Sequence, residues 1–173
     1  DNAVFLERVV LRNYRSIGNC DVRLGALTYL VGMNGAGKSN FLDALHLVRD
    51  SLNGSLDNAL HERGGLNECR RRSSGHPNHF GIRLEFRLRS GERGHFAFNV
   101  GALKDRGYEV QAEECALGGI GKGPFYRVER GKLRDSSEAT FPSVTADRLA
   151  LVAASGLTTF RPVFDALCAM GFY

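Results

Sequence analysis

The chain has 173 residues, of which 43% are hydrophobic and 24% are charged, and its net charge is +4 at pH 7. This composition is typical of a globular domain and excludes a largely disordered chain. No apolar run reaches the roughly 20 residues of a membrane-spanning helix, and the first residues lack the charged and apolar regions of a secretory signal. The four cysteines form no CxxC pair, so we expect reduced thiols in a cytoplasmic protein without membrane contact.

The chain opens with two β-like segments, residues 4–11 and 20–24, separated by a short polar stretch. A third apolar segment, residues 27–31, is typical of a buried strand in a parallel sheet. From residue 41 onward, apolar side chains recur three and four positions apart until Asn53-Gly54. This spacing predicts an amphipathic helix that ends near residue 53.

The segment between the third strand and this helix, called loop 32–39 below, reads GMNGAGKS and matches the phosphate-binding pattern G-x-x-x-x-G-K-[ST] at each fixed position. Glycines allow the backbone N–H groups to face phosphate oxygens, and the following helix adds the positive end of its dipole. Lys38 supplies a charge for the β- and γ-phosphates, and the Ser39 hydroxyl is placed to bind Mg²⁺. The sequence therefore predicts binding of a nucleoside triphosphate with Mg²⁺ by these residues: Gly32, Gly35, Ala36, Gly37, Lys38, Ser39 and Asn40.

The middle of the chain changes in composition after the helix. Residues 54–79 contain a glycine pair and an arginine run, and they predict a long flexible insertion with a helical turn near 56–61. Residues 80–133 predict an antiparallel meander, because short β-like segments are separated by glycine-containing turns. In the first of these segments the following apolar residues alternate with charged ones: Ile82, Leu84, Phe86 and Leu88.

The last segment, residues 143–171, predicts two helices. The first is expected to end at Gly156, and Thr159 is expected to cap the second, whose first turn contains Pro162. Both helices are amphipathic and are expected to pack on the core.

Residues 4–48 resemble the ABC-type ATPase heads of the SMC/RecF group, which includes OLD-like and ABC-like "AAA family" ATPases. Such heads open with a strand, an N-[FY]-R-[SN] turn, a second strand, GxNGxGKSN and a helix that contains LDAL. This chain has Asn13-Tyr14-Arg15-Ser16 at the turn, and its loop continues into Leu42-Asp43-Ala44-Leu45. The resemblance implies an α/β fold, the N-terminal lobe of a P-loop NTPase with an antiparallel β-subdomain and C-terminal helices.

The resemblance also implies two nucleotide-binding residues outside the fixed loop positions. Arg15 would lie close to bound ATP, although a solvated turn residue is the alternative interpretation. Asn34 would shape the loop around the γ-phosphate, although it could instead be a turn residue in the left-handed conformation. The residues alone do not separate these alternatives.

Three elements of ABC-type hydrolysis are not found in the sequence. No apolar strand ends in Asp-Glu, Ser155-Gly156-Leu157 is a poor signature loop, and the one glutamine, Gln111, falls in the meander. We therefore expect the chain to be the first lobe of a longer head, with no catalytic residue of its own and with the second lobe outside it. Zinc is not expected at Cys69, His76 and His79, because a fourth ligand is missing.

By the resemblance, ATP would join two heads in a homodimer, and hydrolysis would release them to control DNA repair or phage defence. DNA and a nuclease or other effector would be further partners. Two alternatives are a P-loop kinase for a small molecule and a non-hydrolysing nucleotide sensor that binds DNA or a protein. The arginine run at 70–72 could contact DNA phosphates or be a solvated loop, whereas Arg83, Arg87 and Arg89 are interpreted as a solvated strand face.

Overall fold

The computed structural model describes residues 5–75, 77–119 and 121–171, so that Val4 of the first expected strand and His76 lie outside it. Within these ranges seven strands form one antiparallel sheet in the order β2-β1-β3-β4-β5-β6-β7. Their bounds are β1 Phe5–Tyr14, β2 Ile17–Arg23, β3 His79–Arg87, β4 Arg93–Ala102, β5 Tyr108–Leu117, β6 Phe125–Glu129 and β7 Lys132–Ser136.

The alternating pattern in the middle of the chain explains the sheet. Ile82, Leu84 and Phe86 of β3 are buried, while Arg87 is exposed. Strand β1 pairs with β3, for example Val9 with Leu84, so that the two early strands extend the meander rather than forming a separate layer. The expected α/β fold with an antiparallel β-subdomain is confirmed.

Five helices pack against the sheet or against one another in the described part of the chain: α1 Lys38–Asn53, α2 Leu56–Glu62, α3 Leu66–Cys69, α4 Ala150–Ala154 and α5 Arg161–Cys168. The apolar stripe of α1 is buried, as its spacing predicts: Phe41, Ala44, Leu45, Leu47, Val48 and Leu52. Each fully buried large apolar side chain stabilises the fold by about 1.5–3 kcal/mol relative to leaving it exposed. In none of these helices does an apolar stretch reach the length of a membrane span.

The segment at 54–79 is more ordered than its composition predicts, although α2 coincides with the helical turn expected near 56–61. It contains α2 and α3, and the Ser55 hydroxyl oxygen accepts a hydrogen bond from the Asn58 N–H at 3.1 Å, which caps α2. Leu56, Leu60 and Cys69 are buried in the core. Because each helix has at most two turns, its apolar residues are too few to show a helical period in the sequence.

The expected buried strand at 27–31 is wrong. This segment is irregular, and Leu27, Tyr29 and Val31 expose 74%, 78% and 90% of their surface. A strand requires a hydrogen-bonded neighbour. In the described structure none of the seven strands pairs with this segment.

The C-terminal helices are shorter than the sequence predicts. Helix α4 covers only residues 150–154, since the backbone at 146 is instead engaged by β5, where the Val110 N–H donates to the Ala146 carbonyl at 2.7 Å. Helix α5 begins after Phe160 rather than Thr159, and Pro162 lies in its first turn as expected.

Candidate functional site

Loop 32–39 has the backbone conformation that its glycines permit. Gly35 and Gly37 adopt φ angles of 86° and 89°, in the left-handed region that other residues rarely enter. Between them the Ala36 N–H donates to the Met33 carbonyl at 3.1 Å and closes a tight turn. These angles fold the loop back directly onto the first turn of α1.

Helix α1 begins at Lys38 without a side-chain cap and without an acidic residue in its first turn. No side chain therefore accepts a hydrogen bond from its first N–H groups as a cap, and the positive end of the helix dipole is not compensated. An anion such as a phosphate is the usual ligand of such a helix start.

Lys38 closes the loop with its own side chain. Its Nζ donates to the carbonyls of Gly32 and Met33, the latter at 2.8 Å. A Cβ on Gly32 would lie 3.3 Å from the Ala36 Cβ and 3.5 Å from the Lys38 Nζ, so that glycine leaves room for the lysine. An ammonium group has three donors, and two are used here. One donor remains for a ligand.

The turn between β1 and β2 packs against the start of α1. The Asn40 Nδ2 donates to the Ser16 Oγ at 2.6 Å, and Ile17 lies beside Gly37. Ser39, the expected magnesium ligand, is exposed in the first turn of α1. The structure thus brings the turn and loop 32–39 together.

Arg15 lies in this turn with a φ angle of 49°. Its Nε is 3.0 Å from the Asp43 Oδ2, although the angle is outside that of a hydrogen bond. Burial alone would lower the pKa of Arg15, but the Asp43 carboxylate raises it overall. Asp43 is four residues after Ser39 on the same helix, which places the Arg15 guanidinium about one helical turn from Ser39.

Asp43 is the centre of a network that the apolar spacing of α1 does not reveal. Its carboxylate accepts hydrogen bonds from the Tyr14 hydroxyl at 2.5 Å and from the Arg63 Nε at 3.1 Å. Arg63 also donates from Nη2 to Asp50 at 2.9 Å. Burial first, and the Asp43 carboxylate next, raise the pKa of Tyr14. The only sequence signal that could have paired Tyr14 with Asp43 is that both belong to motifs of the same resemblance, Asn13-Tyr14-Arg15 and Leu42-Asp43-Ala44-Leu45.

Asn34 is exposed at the tip of loop 32–39. It does not have a positive φ angle, so its interpretation as a left-handed turn residue is wrong. In the neighbouring turn, Asn13 does adopt this conformation, with a φ angle of 52°.

The arginines outside the loop are largely engaged by neighbours. Arg83 forms ion pairs with Glu85 and Glu114 at 3.2 and 3.5 Å, and Arg87 pairs with Glu7 at 2.6 Å. This pairing agrees with a solvated strand face. Within the described ranges no three His, Cys, Asp or Glu residues are grouped as a metal site, so Cys69 and His79 do not begin one there.

Comparison with known proteins finds relatives that match part of the chain. The DNA replication and repair protein RecF of Vibrio cholerae is 37% identical over 65 residues, which cover 37% of this chain and 17% of that protein. The OLD nuclease of Thermus scotoductus is 46% identical over 43 residues, which cover 25% of this chain and 8% of that protein. The chain therefore spans only a small part of the length of these relatives.

Solved structures of the recombination mediator RecF and of an SMC ATPase also match. The RecF structure has a TM-score of 0.43 and 16% identity, and the match covers 68% of this chain and 28% of that chain. The SMC ATPase structure has a TM-score of 0.46 and 18% identity, and the match covers 66% of this chain and 70% of that chain. The family described as "AAA ATPase domain" matches residues 5–98, which include loop 32–39 and more than half of the chain. The resemblance to RecF- and OLD-like ATPases is thereby confirmed, and the chain belongs to the AAA ATPase domain family.

Proposed function

We propose that loop 32–39 binds ATP together with Mg²⁺. The observation that carries this proposal is the geometry of the loop, in which two left-handed glycines turn the backbone onto an uncapped helix start beside Lys38. Backbone N–H groups, a helix dipole and a lysine ammonium then converge on one phosphate-sized region. The proposed binding residues are Gly32, Asn34, Gly35, Ala36, Gly37, Lys38, Ser39 and Asn40, with Arg15 beside them.

Magnesium fits the donor set of this site. Mg²⁺ prefers oxygen ligands and is usually held by few protein groups together with substrate phosphates. The Ser39 hydroxyl offers such an oxygen on the exposed side of the first helical turn. When bound, Mg²⁺ would neutralise phosphate charge, and Ser39 would hold it beside Lys38.

The 173 residues alone are proposed to bind ATP without appreciable hydrolysis. Hydrolysis needs a carboxylate that is free to orient water. Asp43, the acidic residue one turn beyond Ser39, is instead engaged by Tyr14, Arg15 and Arg63. It is therefore a poor candidate for a general base.

At the level of the whole protein, we propose an ATPase whose ATP-dependent head dimerisation and hydrolysis control DNA repair or phage defence. The relatives named a DNA replication and repair protein and an OLD nuclease support this direction, and the family match over residues 5–98 includes loop 32–39. The proposed partners are ATP, a second head, DNA and an attached or separate effector. ATP would then act as a switch, because contacts of the second head with the γ-phosphate are made only in the joined state.

A titration with a fluorescent ATP analogue and Mg²⁺ tests the proposed binding. Lys38→Ala is expected to weaken binding at least tenfold, because a charged group that contacts phosphate is lost. Lys132→Ala is the matched control, since Lys132 is exposed in β7 and distant in the sheet order from β1. Equal affinity of all three proteins would contradict the proposal, and release of phosphate by the unmodified chain would contradict the absence of hydrolysis.

A further inference from the structure

We propose that Asp43, supported by Arg63, is a positioning residue that holds Arg15 for contact with a nucleotide phosphate. This inference rests on the proposed ATP binding. The juxtaposition that carries it is the contact of Asp43 with one edge of the Arg15 guanidinium, one helical turn beyond loop 32–39.

The contact leaves part of the guanidinium for a ligand. Asp43 approaches the buried Nε edge at 3.0 Å, and the Arg15 side chain is 30% exposed. Asp43 and the Tyr14 hydroxyl are the described partners of the Arg15 side chain. A planar guanidinium fixed at one edge presents its other donors in a fixed direction, which suits an oxyanion such as phosphate.

The backbone also holds Arg15 in place at a cost. A left-handed conformation is unfavourable for a residue with a side chain, and it persists where the surroundings determine it. Here the Arg15 N–H donates to the Cys69 carbonyl at 2.7 Å, and the Arg71 N–H donates to the Asn13 carbonyl at 2.7 Å. The turn is therefore clamped between α1 and the end of α3, and Arg15 is presented rather than freely mobile.

Arg63 completes the arrangement from the other side of Asp43. Its side chain is only 9% exposed, and it donates to Asp43, to Asp50 and to the Ala59 carbonyl. These contacts fix the Asp43 carboxylate, so that it can hold the Nε edge of Arg15 in one place. Arg63 also provides part of the positive charge that a partly buried carboxylate requires.

The proximity to loop 32–39 makes the phosphate the fitting ligand. Ser16, next to Arg15, accepts the hydrogen bond from Asn40 and lies within 3.7 Å of a Cβ built on Gly37. The turn that carries Arg15 therefore contacts the start of α1, where Lys38 lies. An anion bound at this helix start is attracted by both cations.

A double-mutant cycle on nucleotide affinity tests the role of Asp43. The titration uses the fluorescent ATP analogue with Mg²⁺ on the 173-residue protein, Asp43→Asn, Arg15→Gln and the double variant. Each single change is expected to weaken binding about tenfold, and the double variant is expected to bind no worse than Arg15→Gln alone, because Asp43 acts through Arg15. Asp43→Glu, which keeps the charge, is expected to recover part of the affinity.

Asp50→Asn is the matched control, because Asp50 lies on the same helix and also pairs with Arg63 but not with Arg15. It is expected to leave the affinity within twofold of the unmodified protein. An equal loss from Asp43→Asn with or without Arg15 would show a merely structural role and overturn the proposal, as would unchanged affinity in Asp43→Asn.

Should Asp43→Asn fail to fold, Tyr14→Phe combined with Arg15→Gln gives the same cycle through the hydroxyl that holds Asp43, and additive losses there overturn the proposal.

The two proposals fail in different ways. If Lys38→Ala loses affinity while Asp43→Asn does not, ATP binding stands and only the positioning role is wrong. If the unmodified protein binds no nucleotide, both are wrong.

Discussion

The seven-stranded sheet differs from loop 32–39 and the segment before it in burial and in the contacts that stabilise each region. Phe80 and Phe96 on the inner face of the sheet are fully buried, whereas Val31 and Met33 next to the loop are 90% and 85% exposed. The sheet is stabilised by many apolar contacts, but the loop depends on glycine conformations and on a few polar contacts from α1 and the β1–β2 turn. Stability and ligand contact are therefore expected to respond to different substitutions.

Truncation of an apolar side chain is expected to produce the largest difference between the two regions in the free energy of unfolding. Phe96→Ala is expected to lower the free energy of unfolding by about 3–5 kcal/mol, because it removes a fully buried ring and leaves a cavity. Val31→Ala is expected to change it by less than about 0.5 kcal/mol, because that side chain is exposed. Urea unfolding followed by circular dichroism measures both, and similar losses would contradict the comparison.

The second-largest expected effect is a pH dependence of stability. It comes from Glu113, the one fully buried carboxylate of the described core. It accepts hydrogen bonds from the Tyr126 hydroxyl at 2.5 Å and from the Ala150 and Leu151 N–H groups at 2.6 and 2.9 Å, so that it caps α4 from β5. Burial raises the pKa of Glu113 from 4.5 to about 7, although these three donors act in the opposite direction.

The raised pKa gives the sheet a pH dependence with a definite sign. Between pH 4.5 and 7 the folded state binds a proton that the unfolded state releases, so stability is full below pH 4.5 and falls as the pH rises through 7. The loss is about 3 kcal/mol. Urea unfolding at a series of pH values is expected to show it in the unmodified protein and not in Glu113→Gln. The same slope in both proteins would contradict the role of Glu113.

Local patterns in the sequence account for much of the fold and for the centre of the site. Strand β3 follows from the alternation of Leu84 and Phe86 with charged residues, and loop 32–39 follows from fixed spacing, since both depend on neighbours in the chain. The network around Asp43 could not be predicted in this way. Its partner Tyr14 is 29 residues away and Arg63 is 20 residues away, and composition does not tell which charged residues meet.

The length of α4 and the conformation of residues 27–31 were also predicted wrongly, because neither is decided by neighbours in the chain. Helix α4 is short because Glu113, which is 37 residues earlier in the chain, caps its start in the folded structure. The segment at 27–31 has the composition of a strand, but strand formation depends on a paired neighbour rather than on composition. A distant contact decided the outcome at α4, and the lack of a paired strand decided it at 27–31. Short-range periodicity carries no information about either.

The smallest expected difference in stability comes from introducing the same backbone strain into each of the two regions. Gly35 in loop 32–39 and Gly91 in the β3–β4 hairpin have φ angles of 86° and 88°, and a Cβ built on either meets no atom within 4 Å. Alanine at either position is strained by about 1 kcal/mol through its backbone alone. Gly91→Ala is expected to show this loss in unfolding, because the hairpin cannot relax without breaking the β3–β4 pairing.

Gly35→Ala is expected to behave differently, because the loop can relax without disturbing the sheet. Its unfolding free energy should change less than that of Gly91→Ala, while its affinity for the ATP analogue falls about tenfold as the backbone N–H groups turn away from the phosphates. Gly91→Ala should bind nucleotide normally. If instead Gly35→Ala loses stability and keeps its affinity, loop 32–39 would be part of the stabilising core, and the separation between the two regions would not hold.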